Sequence, residues 1–184
     1  MSIPNIISLA RLLSVPLTIW LILQGAWIWA FGLFMAAGIS DAVDGFIAKR
    51  YNMRSELGRF LDPLADKALL VSIYVTLGTK GMLPQWLVIM VVSRDVLIVG
   101  GALLAFAMDR GMAIQPLQIS KANTVAQITL AAVVLGELSF AMLPGFLIPA
   151  LISIVAITTL MSGGHYLFNW ARGQNSNHGG APLP

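Results

Sequence analysis

The chain has 184 residues, 58% of them hydrophobic and only 10% charged, and a mean hydropathy of +0.83. Water-soluble domains carry roughly a quarter charged residues, and a core of this size cannot hide so much apolar surface, so a bilayer is the expected solvent. An isoelectric point of about 9.6 does not call for nucleic acid, because the basic residues sit in short loops between apolar runs; the absence of cysteine excludes disulfides and thiolate metal sites.

A membrane-crossing helix needs about 20 mainly apolar residues, and six such stretches follow one another in an all-α integral membrane domain. The first spans Ile6–Leu23 and ends at "QGA"; it lacks the small-residue cleavage site of a signal peptide followed by a soluble domain. The second spans Trp27–Ala48, and the third Phe60–Leu77, closing at "GTKG". The fourth spans Pro84–Ala107, with Pro84 suited to a helix start. The fifth spans Ile119–Leu135 and the sixth Pro144–Trp170. Residues 1–172 are thus expected as one membrane domain. Residues 173–184, "GQNSNHGGAPLP", are expected as a disordered polar tail.

Charge orients these spans. Lys49, Arg50, Arg54 and Arg59 crowd the second loop, Arg110 and Lys121 flank the fourth, and Arg11 and Arg172 lie near the termini. The other side offers only Lys80 and Glu137. The positive-inside rule puts both termini and the even-numbered loops in the cytoplasm. Trp27, Trp29 and Trp86 stand at span ends, as interface anchors do. No internal repeat argues for a transporter built from inverted halves.

Against this background, "SDAVDGFIAKRYNMRSELGRFLDPLADK" concentrates four aspartates at the cytoplasmic ends of spans two and three. At about 100° per residue, Asp41, Asp44, Gly45 and Ala48 share one sector of a helix, and Gly58, Asp62 and Asp66 share another. Consecutive spans are expected to be neighbours, which lets the two acidic faces converge. Gly45, Ala48 and Gly58 remove bulk and admit a close helix or ligand. Four clustered carboxylates cannot all stay ionised without cations, and an all-oxygen donor set suits Mg²⁺, Mn²⁺ or Ca²⁺. Two divalent ions would balance the charge and leave room for a phosphate-bearing substrate. The blander reading of an intramembrane aspartate is a helix–helix hydrogen bond or a proton relay; the spacing of four, with small residues interleaved, favours the metal site.

Asp41-x2-Asp44-Gly45-x2-Ala48-Lys49-x8-Gly58-x3-Asp62-x3-Asp66 resembles the motif of the CDP-alcohol phosphatidyltransferases. That family has arginine after the alanine, where this chain has Lys49 followed by Arg50, which keeps the charge but loses the guanidinium fork at position 49. The resemblance implies six transmembrane helices in a homodimer, an active site open to the cytosolic interface, and displacement of CMP from a CDP-linked lipid by an alcohol. It implies two Mg²⁺ or Mn²⁺ ions on Asp41, Asp44, Asp62 and Asp66, with Asp66 also the general base. Gly45, Ala48, Lys49, Arg50 and Gly58 would surround the cytidine nucleotide, and "IPNIISLARLL" would bring Asn5 and Arg11 to the same end. Arg11 can equally be a topology anchor.

Other stretches refine the resemblance. "SRDVLIV" sets Arg94 and Asp95 well inside span four, either as an ion pair with partners across the bundle or as a site for acceptor phosphate. "SKANTVAQ" gives a polar face of Lys121, Asn123, Thr124 and Gln127, with Lys121 either an acceptor ligand or a solvated helix end. His165 and Tyr166 are expected to be packing residues. Together with "LDPLADKALLVSIYVTL", these stretches look most like the CMP-forming cardiolipin synthases, which join CDP-diacylglycerol to phosphatidylglycerol. The related phosphatidylglycerophosphate synthases use glycerol 3-phosphate. The implied location is the cell membrane or the mitochondrial inner membrane, facing cytoplasm or matrix. Two other classes compete. A polyprenyl-transferring enzyme would carry two aspartate-rich motifs far apart in sequence, and a divalent-cation transporter would carry its carboxylates near mid-membrane.

Overall fold

The computed structural model describes the backbone of residues 3–51, 56–107 and 118–175, and the side chains of residues 10–40, 67–100 and 119–164. It is all helical among the described residues: α1 Ile3–Leu23, α2 Trp27–Tyr51, α3 Glu56–Thr79, α4 Gln85–Ala107, α5 Gln118–Phe140 and α6 Leu147–Asn175. Each of the six expected spans corresponds to one helix. Several helices run beyond the apolar stretch that marked them. α2 continues past Ala48 to Tyr51, α3 starts at Glu56 rather than Phe60, and α6 carries Gly173–Asn175 into the segment expected as tail. Residues 176–184 lie outside the described residues.

The turns explain where α1 and α3 stop. Gly25 has φ +73°, and its N–H donates to the Ile22 carbonyl at 3.1 Å while Ala26 N–H donates to the Leu21 carbonyl at 2.9 Å. This is a Schellman cap, which satisfies orphan carbonyls and needs a residue tolerant of left-handed backbone. Gly81, also at φ +73°, repeats it: its N–H reaches Gly78 O at 3.0 Å, and Met82 N–H reaches Leu77 O at 2.9 Å. Pro84 then opens α4, its carbonyl accepting from Leu87 N–H at 3.0 Å.

Packing joins the helices into two four-membered rings that share the α3–α5 contact. One ring runs α1–α2–α5–α3 and the other α3–α4–α6–α5. No α2–α3 contact occurs among the described residues; the connection at 52–55, where the two are expected to meet, lies outside them. The tight turn after α1 lays α2 on one flank of α1, and α3 occupies another, so α1 and α5 bridge the pair. The buried core includes Ile22, Phe34, Ile73, Leu77, Leu130 and Leu135.

The outer surface is apolar as well. Leu13, Trp29, Ile89, Val96, Val125 and Leu160 are each more than half exposed, far more than water would tolerate in one contiguous layer. Among the described residues, Ile119–Phe140 and Leu147–Gly164 are long and apolar enough to cross a membrane; Ala10–Leu23, Trp27–Ser40 and Lys67–Thr79 are shorter apolar segments. A bilayer is the solvent this surface fits.

Candidate active site

Asp41, Asp44, Gly45, Ala48, Lys49 and Arg50 fall in α2, and Gly58, Asp62 and Asp66 fall in α3, so the helical spacing assumed for the motif holds for the backbone. Their side chains, with those of Asn5, His165 and Tyr166, lie outside the described residues. The expected convergence of the two acidic faces concerns those side chains. Among the described residues no group of three or more potential metal ligands occurs.

One residue beyond Asp66 the described site begins. Lys67 Nζ donates to Asp95 Oδ2 at 2.8 Å, reaching from α3 to α4. Arg94 Nη1 donates to Asp95 Oδ1 at 2.6 Å, so each carboxylate oxygen holds its own cation. Arg94 then ties in the two remaining helices of its ring. Its Nη2 donates to Ser120 Oγ on α5 and to Ser162 Oγ on α6, both at 2.6 Å, and its Nε reaches Ser162 Oγ at 3.2 Å. Arg94 and Asp95 are almost wholly buried, whereas the Lys67 side chain is 25% exposed. Gly163 lies beside the arginine stem, where a Cβ would meet Arg94 Cγ at an ordinary contact distance of 3.9 Å.

Two uncharged layers continue inward. Thr158 and Thr159 on α6 both donate to Asn123 Oδ1 on α5, at 2.9 and 3.0 Å. Tyr74 Oη on α3 donates to the Gln127 carbonyl at 3.0 Å, with both residues fully buried. At about 1.5 Å per residue, Tyr74 and Gln127 lie about 10 Å further along their helices than Lys67 and Ser120. Tyr74 and Gln127 join α3 to α5 directly, whereas Lys67 and Ser120 are linked only through Asp95 and Arg94. Asn123 Nδ2 and both side-chain polar atoms of Gln127 are buried without a hydrogen-bond partner. Beneath them the interior is mainly apolar, with Leu77, Leu87, Leu130 and Val134.

The structure therefore puts Arg94 in the ion pair that its position inside span four required, at a hub of four helices. Lys121 is exposed, one residue from Ser120, and is not joined to that hub among the described residues. Thr124 bonds its own helix through the Ser120 carbonyl at 3.1 Å. Arg11 is buried in α1, and its carbonyl accepts from Ser14 Oγ at 2.6 Å. Lys67, Ser120, Ser162, Thr158, Thr159 and Tyr74 were not singled out by sequence reasoning. The available signal was Arg94-Asp95 itself, because a charge pair at that depth must find polar partners on every helix around it.

The model of the CDP-alcohol phosphatidyltransferase family matches residues 1–163. The chain is 36% identical over 157 residues to CDP-diacylglycerol–glycerol-3-phosphate 3-phosphatidyltransferase 1, chloroplastic, of Oryza sativa, covering 76% of this chain and 48% of that one. It is 34% identical over 181 residues to the human cardiolipin synthase (CMP-forming), covering 90% and 60%. It is 40% identical over 104 residues to the cardiolipin synthase (CMP-forming) of Streptomyces coelicolor, covering 53% and 48%. The chain thus spans about half to three fifths of the length of these relatives.

Proposed function

The chain belongs to the CDP-alcohol phosphatidyltransferase family, and from that membership we propose that it transfers a phosphatidyl group from CDP-diacylglycerol to an alcohol and releases CMP. The observation that carries the reading is the complete aspartate motif, Asp41 to Asp66, inside the matched segment. The preferred acceptor is phosphatidylglycerol, which makes the product cardiolipin; the likeness to the human cardiolipin synthase over 181 residues supports it. The rice relative, named for glycerol 3-phosphate, supports that acceptor as the second reading.

The donor set fits hard divalent ions, since four carboxylates offer oxygen ligands only. Asp41, Asp44, Asp62 and Asp66 would hold two Mg²⁺ or Mn²⁺ ions, which when bound supply Lewis acidity toward the diphosphate. Asp66 would take the proton of the acceptor hydroxyl while that oxygen forms its bond to the lipid-linked phosphorus and the bond to CMP breaks. Gly45, Ala48 and Gly58 would leave room for the nucleotide, with Lys49, Arg50, Asn5 and Arg11 at its charged edge. Arg94 and Lys121 would face the acceptor phosphate, Arg94 from its fixed place on Asp95. Six spans, an active site on the cytoplasmic or matrix side, and a homodimer in the cell or mitochondrial inner membrane complete the reading.

The test supplies labelled CDP-diacylglycerol to the purified protein with phosphatidylglycerol and glycerol 3-phosphate in parallel, with Mg²⁺ or Mn²⁺, and identifies the lipid formed. CMP release that a chelator abolishes is expected. No CMP with either acceptor overturns the reading; phosphatidylglycerophosphate as product replaces the preferred acceptor by the second.

A further inference from the structure

Among the described residues the charges around Asp95 do not balance. Lys67 and Arg94 bring two positive charges to one carboxylate. Arg94 alone neutralises Asp95, and its other bonds go to the neutral hydroxyls of Ser120 and Ser162. For stability the second cation is surplus, and a surplus charge in a low-dielectric bundle is costly unless an anion meets it. Lys67 also differs from its neighbours in access, being 25% exposed where Arg94 and Asp95 are 4%. An ammonium has three donors, and among the described residues only Asp95 accepts from it. Lys67 follows Asp66 directly in α3, so its charged end belongs to the same end of the bundle as the acidic motif.

We propose that Lys67, steadied by Asp95, is a phosphate-binding residue of the active site, its free ammonium N–H groups donating to a non-bridging phosphate oxygen of a substrate. This rests on the function proposed above and adds a residue to it. The ligand chemistry is a phosphate oxygen, whose source is either the diphosphate of the nucleotide lipid or the phosphate of the acceptor. Arg94, anchored on three helices, is the fixed part of this arrangement; Lys67, on a flexible stem with one tether, is the part that can follow a substrate.

The chain contains no cysteine, which makes the test site-specific. In the full-length protein, Lys67→Cys is purified folded, since Arg94 and Asp95 remain paired without the lysine. One portion is aminoethylated to restore a cation and another is capped with an uncharged thiol reagent. The charged adduct is expected to recover CMP release, with KM about 10- to 100-fold below that of the uncharged adduct, the range of one charge-assisted hydrogen bond. The substrate whose KM moves identifies the phosphate. Independently of turnover, CDP-diacylglycerol, phosphatidylglycerol or glycerol 3-phosphate, each added alone in the presence of Mg²⁺, is expected to slow modification of the introduced thiol. Equal kinetics for the two adducts, or a modification rate that none of the three changes, overturns the proposal and leaves Lys67 as a structural partner of Asp95. Wild-type protein in the same assay separates the two readings: absence of CMP there refutes the enzyme itself, whereas CMP there with indifferent adducts refutes only the role of Lys67.

Discussion

At the end of the bundle where α1 meets α2 and α3 meets α4, polar groups serve the backbone. Two glycines at positive φ close Schellman caps, Lys80 Nζ donates to the Leu23 carbonyl at 2.8 Å, and Glu137 Oε2 accepts from Leu143 N–H at 2.8 Å. The two charges expected on that side are thus both spent on backbone groups, Lys80 on the C-terminal carbonyl of α1 and Glu137 on an N–H of the α5–α6 connection. Packing there is close: a Cβ on Gly78 would sit 2.8 Å from Val88 Cγ2, and Phe31 meets Phe140 edge to face at 5.8 Å. At the Lys67 end the charges lie inside the bundle and bond side chain to side chain across four helices. One end is built to be shut and the other to hold charge, and substitutions at the two ends should fail in different ways.

The largest effect is expected from Asp66→Asn, which should reduce CMP release about 10²- to 10⁴-fold, the range for loss of a general base, while the thermal unfolding midpoint stays near that of wild type. A matching fall in stability would erase the contrast between the ends. Asp95→Asn should act oppositely, leaving two cations facing each other around a neutral amide. A loss of about 3–5 kcal/mol, typical of breaking a buried pair, should appear as a lower midpoint and poor recovery of monodisperse protein. Adding Lys67→Met to Asp95→Asn should regain part of that loss by removing the surplus charge.

At the closed end, Gly78→Ala should destabilise by about 1–3 kcal/mol through overpacking against the stiff Val88 side chain. Val88→Ala in the same chain should relieve it, and turnover per folded molecule should not change. Smallest is Gly25→Ala or Gly81→Ala, where left-handed backbone costs an L residue about 1–2 kcal/mol; a midpoint shift with unaltered kinetics is the expected record.

Legibility in the sequence followed the same division. Six apolar runs located six helices, but runs measure solvent and helices are made by backbone bonds, so the two disagreed where charge begins. Tyr51, Glu56 and Asn175 are helical although no hydropathy argument reaches them. Whether α2 and α3 pair at their acidic ends turns on residues 41–66, whose side chains lie outside the described residues. Asp41, Asp44, Asp62 and Asp66 were legible because carboxylates in an apolar chain are conspicuous. Ser120, Ser162 and Thr159 were not, because a lone hydroxyl in a helix more often bonds its own backbone, as Thr18 does to Ser14 O at 2.8 Å and Thr76 to Ser72 O at 2.6 Å. Nothing local tells the two uses apart; what distinguishes them is a polar partner on another helix, Arg94 or Asn123.

The short glycine turns carry a mechanical consequence. Helices joined as tightly as α1 to α2 and α3 to α4 cannot slide past each other, and the freedom left to them is a tilt about the joint, as in a clothes peg. Over a helix of about 20 residues, roughly 30 Å long, a tilt of about 5° parts the far tips by about 2.6 Å. Separation at the far tips is thus amplified from almost nothing at the joint.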